Sequence, residues 1–262
     1  MADITEILTK IRDNFSPPHR IALYHRILRE ARSAGYQFLT LAELAAAQEP
    51  PSAPFIILRH DIDTDPRAAL DFAAAEAKED IRATYFFRLT TWDTDIVDLL
   101  HAQGHEVGYH FEELASYAKK KQIRSQAEVI AAFPDIRRIF AQNLAKLRSL
   151  HSFEINSCAS HGDFANWVVD CGNYKFLRDA QLRHELGIAY EAYDHELVNA
   201  YQNHVSDWNS PQGFNPAHPL SYIRARKSYL FLTHPRWWRV NPLANFHFDL
   251  KVWVERFLWR LG

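Results

Sequence analysis

An α/β fold built on a parallel sheet is what this sequence predicts, and three observations carry that expectation. The first is Phe55-Ile56-Ile57-Leu58-Arg59-His60-Asp61-Ile62-Asp63, an unbroken apolar run that ends in ionisable residues. Such a run reads as a strand buried on both faces, emerging at a polar end. The second is the alternation of short β-type and longer helix-type patterns from residue 55 to 110, which implies parallel strands joined by crossover helices. The third is that later strand patterns also finish on polar residues: His110, His161 and His234. Residues two apart in a strand share a face, so Asp61 and Asp63 present two carboxylates to one side. Their repulsion is relieved most simply by a divalent cation, one carboxylate binding and the other free as a base. A solvated strand end followed by a helix cap is the plain alternative.

In chain order, residues 3–14 form a short helix, and Ser16-Pro17 opens a second that runs through Ser33. Gly35 ends it, Tyr36–Leu39 is extended, and Thr40 caps a helix over 41–47 that stops before Pro50-Pro51. After the central strand, Asp65-Pro66 begins a helix through about Asp80 whose alanine-rich face suits close packing on a sheet. Residues 83–89 are the next strand, 94–102 a helix ended by Gly104, and 105–110 a third strand. From Ser125 to Leu150 the spacing is helical but broken at Phe133-Pro134, with Asp135 starting the second helix. Residues 154–160 are a fourth strand. The segment 164–215 is loop-rich, with short strands near 188–190 and 197–201 and a helix near 176–184, and 228–233 form the last strand. The tail, 246–261, is a helix with Leu250, Trp253, Val254, Phe257, Leu258 and Leu261 on one broad face, while Val252 and Trp259 interrupt its polar side. Three readings stand for it: packing across the barrel, a dimer contact, or a membrane-surface anchor, because basic residues with interfacial Trp suit headgroups. The division is 1–50 as helical lead-in, 51–240 as barrel and 241–262 as C-terminal helix, all in one structural domain.

Composition narrows the function. The 262 residues carry a formal net charge of −2, which gives no support for a nucleic-acid surface. Two cysteines, Cys158 and Cys171, are too few for a disulfide framework, which fits a reduced, cytoplasmic setting. Asp3, Glu6, Lys10 and Arg12 interrupt any apolar signal region, and no stretch reaches the roughly 18 apolar residues of a membrane span. Of the seven Trp, four follow residue 236.

Single histidines are more often satisfied or exposed residues than ligands. Jointly, four strand ends carrying Asp61/Asp63, His110, His161 and His234 would meet on one face if sequential parallel strands close into a barrel. An Asp and two His with an open position suit zinc or another first-row divalent metal.

These residues resemble the polysaccharide deacetylase group, the NodB-homology family also called carbohydrate esterase family 4. The resemblance covers roughly residues 55–235. It rests on Arg59-His60-Asp61-Ile62-Asp63, Ala83-Thr84-Tyr85-Phe86-Phe87, Gly104-His105-Glu106-Val107-Gly108-Tyr109-His110, Ser160-His161-Gly162-Asp163 and Leu232-Thr233-His234-Pro235. It implies a distorted, incomplete (β/α)7 barrel of the NodB type, one divalent metal ion with zinc preferred, and hydrolysis of an acyl group on a sugar. By that resemblance Asp61 is the catalytic base, Asp63 and His110 are metal ligands and His234 is the catalytic acid.

The departures are specific. Ile62 separates two aspartates that are usually adjacent, and the family's second His, four residues after the first, is Leu114 here. The replacement ligand is Glu112 or, preferred, His161. The missing motif Arg that orients the base is replaced by Arg59 or Arg88. The acid His is oriented by Asp194 or by Asp207, which precedes Trp208; Asp163 is counted among the residues near the site. Trp92, Trp167, Trp208, Trp237 and Trp238 are candidates for stacking on sugar rings or for core packing. The expected function is removal of an N-acetyl or N-formyl group from an amino sugar or surface-polysaccharide precursor. The alternatives are an amidohydrolase on a small non-sugar amide and an inactive glycan-binding relative. A carbohydrate partner, no nucleic acid, and a place in the cytoplasm or at the inner face of the membrane complete the expectation.

Overall fold

The protein is described by a computed structural model that covers residues 20–207 and 213–261. The expected helix over 3–14, the Ser16-Pro17 cap and Trp208 lie outside the described residues. Eight strands form one sheet: β1 (Gln37–Leu39), β2 (Phe55–Ile62), β3 (Thr84–Phe87), β4 (Glu106–Phe111), β5 (Ser157–Ser160), β6 (Tyr190–Glu191), β7 (His204–Ser206) and β8 (Tyr229–Thr233). Seven follow the order β6-β5-β4-β3-β2-β8-β7, every ladder parallel, while β1 pairs with the beginning of β2. Among the described residues β6 and β7 do not pair, so the barrel is open on that side. This is an incomplete (β/α)7 barrel.

Strand alternation divides the apolar residues into layers. Ile56, Leu58, Tyr85, Phe87, Tyr229 and Phe231 face outward under α1 (Ile21–Ser33), α3 (Ala68–Ala77) and α4 (Thr94–Ala102). Phe55, Ile57, Phe86, Ala159, Leu230 and Leu232 face inward. There they meet Leu41 and Leu44 of α2 (Leu41–Ala46) and Leu197 and Tyr201 of α10 (His195–Tyr201), which close the amino-terminal end. Thr40 starts α2 with a capping box, its hydroxyl accepting Glu43 N–H while Glu43 reciprocates. A second outer cluster packs α5 (Glu113–Lys121), α6 (Gln126–Ala131) and α7 (Phe133–Arg148) beside β4 and β5. Gly108 is required inside: a Cβ there would sit 2.4 Å from the Phe86 ring and 2.7 Å from Ser157 Oγ.

The departures from the sequence reading have local causes. Residues 197–201 are not a strand but the end of α10, and β7 follows at 204–206; the alternation seen in Val198 and Ala200 is too short to outweigh the helical pair Leu197 and Tyr201. The expected helix near 176–184 is a 3₁₀ turn, Asn173–Leu177, followed by α9 (Ala180–Glu185), which Asp179 caps. The break in 125–150 falls at Ala132, and Pro134 sits in the first turn of α7, where its missing N–H costs nothing. Three further helices complete the order: α8 (Phe164–Val168), α11 (Pro219–Arg224) and α12 (Pro242–Leu261). α5, α8 and α11 were not foreseen, and α12 starts four residues earlier than expected.

Under β2 lies a buried ionic cluster. Glu76 of α3, fully buried, accepts hydrogen bonds from Tyr24 (2.5 Å) and Tyr85 (2.6 Å) and meets His60 Nε2 at 2.7 Å. His60 Nδ1 reaches Thr233 Oγ1 at 2.6 Å, tying β2 to β8 one residue before Asp61 and His234. Removing one member of such a cluster strands the others without partners. Glu76→Ala is therefore expected to lose about 3–5 kcal/mol in chemical denaturation, and a loss below about 1 kcal/mol would contradict that role.

Candidate metal and active site

The inward face of β2 changes character along its length: Phe55 and Ile57 fill the closed end, then Arg59 and Asp61 follow on the same face. Arg59 holds Asp61 through two hydrogen bonds of 2.9 Å, Nε to Oδ1 and Nη2 to Oδ2, with both side chains almost fully buried. The guanidinium also stacks on the Tyr193 ring at 4.6 Å and donates to its hydroxyl at 3.2 Å. Burial alone would raise the Asp61 pKa; Arg59, then His110 and His234, outweigh it and hold the carboxylate well below its usual range. Asp61 is thus held as an aimed anion, and Arg59 is the residue that orients it.

One donor atom each from Asp63, His110 and His161 falls within 4.8 Å of the other two. Asp63 Oδ1 lies 3.6 Å from His110 Nε2 and 3.6 Å from His161 Nε2. Three elements deliver them: the end of β2, the inward position of β4 and the residue after β5. His110 Nδ1 lies 3.0 Å from the Ala159 carbonyl oxygen. A carbonyl can only accept, so Nδ1 carries the proton and donates. Burial pushes the His110 pKa down to about 4, against the pull of Asp61 and Asp63. Neutral His110 therefore turns a bare Nε2 lone pair toward Asp61 Oδ2 at 3.4 Å and Asp63 Oδ1.

Lone pairs facing one another in a buried space repel, and Asp63 Oδ1 is buried with no hydrogen-bond partner. A cation satisfies all of them together. One carboxylate oxygen and two imidazole nitrogens is a donor set that zinc and similar divalent metals accept, and separations of 3.6 Å suit metal bonds of about 2.0–2.2 Å. The residues present fit the group.

Glu112 lies outside that group of three donors. Its Oε2 takes Arg88 Nη2 at 2.6 Å and lies 3.4 Å from His161 Nδ1, on the far side of the ring from Asp63. At that distance the carboxylate faces His161 Nδ1, which has no hydrogen-bond partner, as a charge behind the ring. Burial raises the Glu112 pKa, but His161 and Arg88 more than offset it and keep the group ionised. Arg88 also donates to the Asp63 carbonyl at 3.3 Å, so one guanidinium braces two sides of the site. Leu114 is fully buried in the outer cluster with Phe111, Ala118 and Phe140. A histidine at that position would have to leave this packing, which accounts for the residue there being apolar.

His234, next after β8, lies beside Asp61 through the β2–β8 register that pairs His60 with Thr233. Its Nδ1 meets Asp207 Oδ1 at 2.7 Å, and its backbone N–H donates to Oδ2 at 2.7 Å. Trp238, fully buried, donates its indole N–H to Asp207 at 2.7 Å. Burial lowers the His234 pKa, but Asp207, with smaller help from Asp63 and Asp61, raises it to about 9.

Two expected site residues belong elsewhere. Asp194 is held by Arg183 through bonds of 2.7 and 2.5 Å and does not orient His234. Asp163 caps α8 and pairs with Lys119 at 2.7 Å. Both are turn or cap positions whose side chains satisfy nearby donors first. Of the tryptophans, Trp238 is core and Trp167 stands 78% exposed just past β5. Sequence reasoning missed Tyr193, whose turn is fixed by Glu191 accepting the Ser160 and Tyr193 N–H groups at 2.8 Å each. It also missed the Ala159 carbonyl, which no side-chain pattern could reveal.

No family model and no curated protein matches the chain. Among solved structures, members of the CE4 family are similar to it. One is a CE4 family pseudoenzyme from Bacillus anthracis, 14% identical, matching 77% of this chain and 61% of that one with a TM-score of 0.43. Another is the chitin deacetylase of the fungal pathogen Colletotrichum lindemuthianum, 16% identical, with coverages of 79% and 85% and a TM-score of 0.33. A third is a Streptococcus mutans CE4 esterase, 14% identical, with coverages of 88% and 91% and a TM-score of 0.41. The chain spans less than two thirds of the pseudoenzyme's length. At these identities the likeness is one of backbone path and says nothing of activity.

Metal analysis tests the donor set. Protein loaded with zinc and desalted is expected to keep about one equivalent, and Asp63→Ala, His110→Ala and His161→Ala to lose it. Glu112→Gln keeps the ion with affinity weakened about 10–100-fold. Full retention by His161→Ala together with complete loss in Glu112→Gln would reverse the two roles.

Proposed function

We propose that this protein is a metal-dependent hydrolase that removes an N-acyl group, acetyl or formyl, from an amino sugar or a surface-polysaccharide precursor. The observation that carries the reading is the juxtaposition, at the carboxyl ends of parallel strands, of a three-donor metal nest with a fixed carboxylate and a carboxylate-bound histidine. The acylated sugar is supported by the motif resemblance spanning residues 55–235.

An amide resists water because its carbonyl is a poor electrophile and its nitrogen a poor leaving group. A divalent cation held by Asp63, His110 and His161 would supply Lewis acidity, polarising an acyl oxygen and acidifying water. Asp61 accepts a proton as water adds to the acyl carbon, and Arg59 keeps that carboxylate anionic and aimed until the transfer. His234, protonated and anchored through Nδ1 to Asp207, presents Nε2–H to the departing nitrogen. As the C–N bond breaks, that proton completes the amine, and the acyl group leaves as a carboxylic acid. The two groups are tuned in opposite directions, one far down and one up to about 9, which is the separation that acid–base catalysis uses. Trp167, exposed on α8, offers a face for a sugar ring.

Acetate or formate release from a panel of N-acylated amino sugars, free and nucleotide-linked, tests the activity. Asp61→Asn and His234→Ala are each expected to lower kcat by about 10²–10⁴ while retaining metal. A metal-replete preparation that releases nothing from the panel, or variants with undiminished turnover, would refute the proposal.

The pH profile has a defined sign. His234 must be protonated to act, so kcat/KM falls as pH rises through its pKa, at or below about 9 because a bound cation offsets the help from Asp63 and Asp61. Asp207→Asn removes the main stabiliser of the imidazolium and shifts this basic limb to lower pH. A limb that stays in place would show that another group sets it.

A further inference from the structure

The sequence leaves open what the apolar stripe of α12 meets, and in the structure the helix packs on the barrel by its other, mixed side. Its inward contacts are made by Asn245, Phe248, Val252, Glu255 and Trp259, the mixed side of the helix. Leu243, Phe246, Leu250, Trp253 and Phe257 point outward, 69%, 40%, 44%, 53% and 51% exposed, with Val254 and Leu258 widening the stripe. At about 100° per residue these seven span an arc of roughly 140° along a helix some 30 Å long.

The orientation is bolted in place. Glu255 pairs with Lys119 and Asp249 with Arg236, at 2.7 and 2.8 Å. Asn245 binds Thr64 Oγ1 and the Arg236 carbonyl, and Trp259 packs edge-on to Phe164 at 5.8 Å. Thr64, Arg88, Phe164 and Arg236 each follow a strand's carboxyl end, so α12 runs along the rim of the candidate site. Phe248 lies under the Arg88 guanidinium at 5.3 Å, one side chain away from Glu112 and the metal nest.

We propose that this outward face docks on an anionic membrane surface and thereby brings the rim of the catalytic end against lipid. Charge agrees with that occupant. Both carboxylates of the helix are held by basic partners on the barrel, while Lys251, 56% exposed with its ammonium 3.7 Å from Glu255, borders one edge of the stripe and Arg256, exposed with its guanidinium over the Phe164 ring at 5.3 Å, lies beyond the other. A basic border around Trp, Phe and Leu is what an interfacial helix presents to anionic headgroups. Trp253 and Phe257 stack in parallel, 5.9 Å apart at 11°, as a flat aromatic plate suited to the headgroup boundary. The docking holds whatever the site hydrolyses.

Co-sedimentation of the full-length, metal-loaded protein with phosphatidylglycerol/phosphatidylcholine vesicles, and with phosphatidylcholine alone, decides the matter. Wild type is expected to bind the anionic vesicles, more weakly as salt rises. Leu250→Glu and Trp253→Glu should each lower the partition at least about tenfold without changing circular dichroism or metal content. Phe257→Ser supplies an independent variant should either of these fold poorly. Equal partition of wild type and folded variants overturns the proposal. So does a wild type that ignores both vesicles, and so does a concentration-dependent dimer that the same substitutions break, which would assign the face to a second copy.

Discussion

Two carboxylates at the end of one buried strand set the terms for everything around them. Asp61 and Asp63 share the inward face of β2 because strand geometry repeats every two residues, and neither can be buried alone without a positive partner. Arg59, two positions earlier on that face, neutralises Asp61. Asp63 receives no such partner: Arg88 binds its backbone carbonyl and spends its charge on Glu112. What Asp63 meets instead is two imidazoles at 3.6 Å, one of them committed by the Ala159 carbonyl to show its lone pair. The electrostatic deficit is local, and it coincides with the candidate metal site.

The surrounding architecture keeps that deficit from collapsing. The Glu76 cluster pins His60, and through it Thr233, so the residues that follow each, Asp61 and His234, are held in register. Phe86 and Ser157 crowd the place where a side chain at residue 108 would stand, leaving His110 as the next inward group of β4. Phe248 covers Arg88, linking the rim helix to the shell that steadies His161. Each of these contacts lies one residue or one side chain from a donor atom, which is the scale on which misplacement is felt.

Most of the barrel was legible because buried parallel strands announce themselves as apolar runs, and their polar ends fall where alternation puts them. Asp61, Asp63, His110, His161 and His234 were all found that way. The choice of His161 over Glu112 was readable only as a preference; geometry explains it, since Glu112 serves the far side of the ring. Asp207 and Asp194 were indistinguishable in sequence because both precede turns, and only the fold puts one of them beside His234. Short elements between 173 and 206 were obscured because three- to seven-residue segments contain too few turns to show a period. The orientation of α12 was left open for a different reason. Amphipathic patterning marks an apolar face without saying what covers it, and on the other side of the helix Val252, Trp259 and the ion pairs of Asp249 and Glu255 meet the barrel.

The central claim is that one cation joins Asp63, His110 and His161. X-ray absorption at the zinc edge on the loaded protein tests it most directly: the account predicts a shell of two imidazole nitrogens with carboxylate oxygen at about 2.0–2.2 Å, altered when His161 is replaced. A shell without imidazole, or one indifferent to His161, would contradict it.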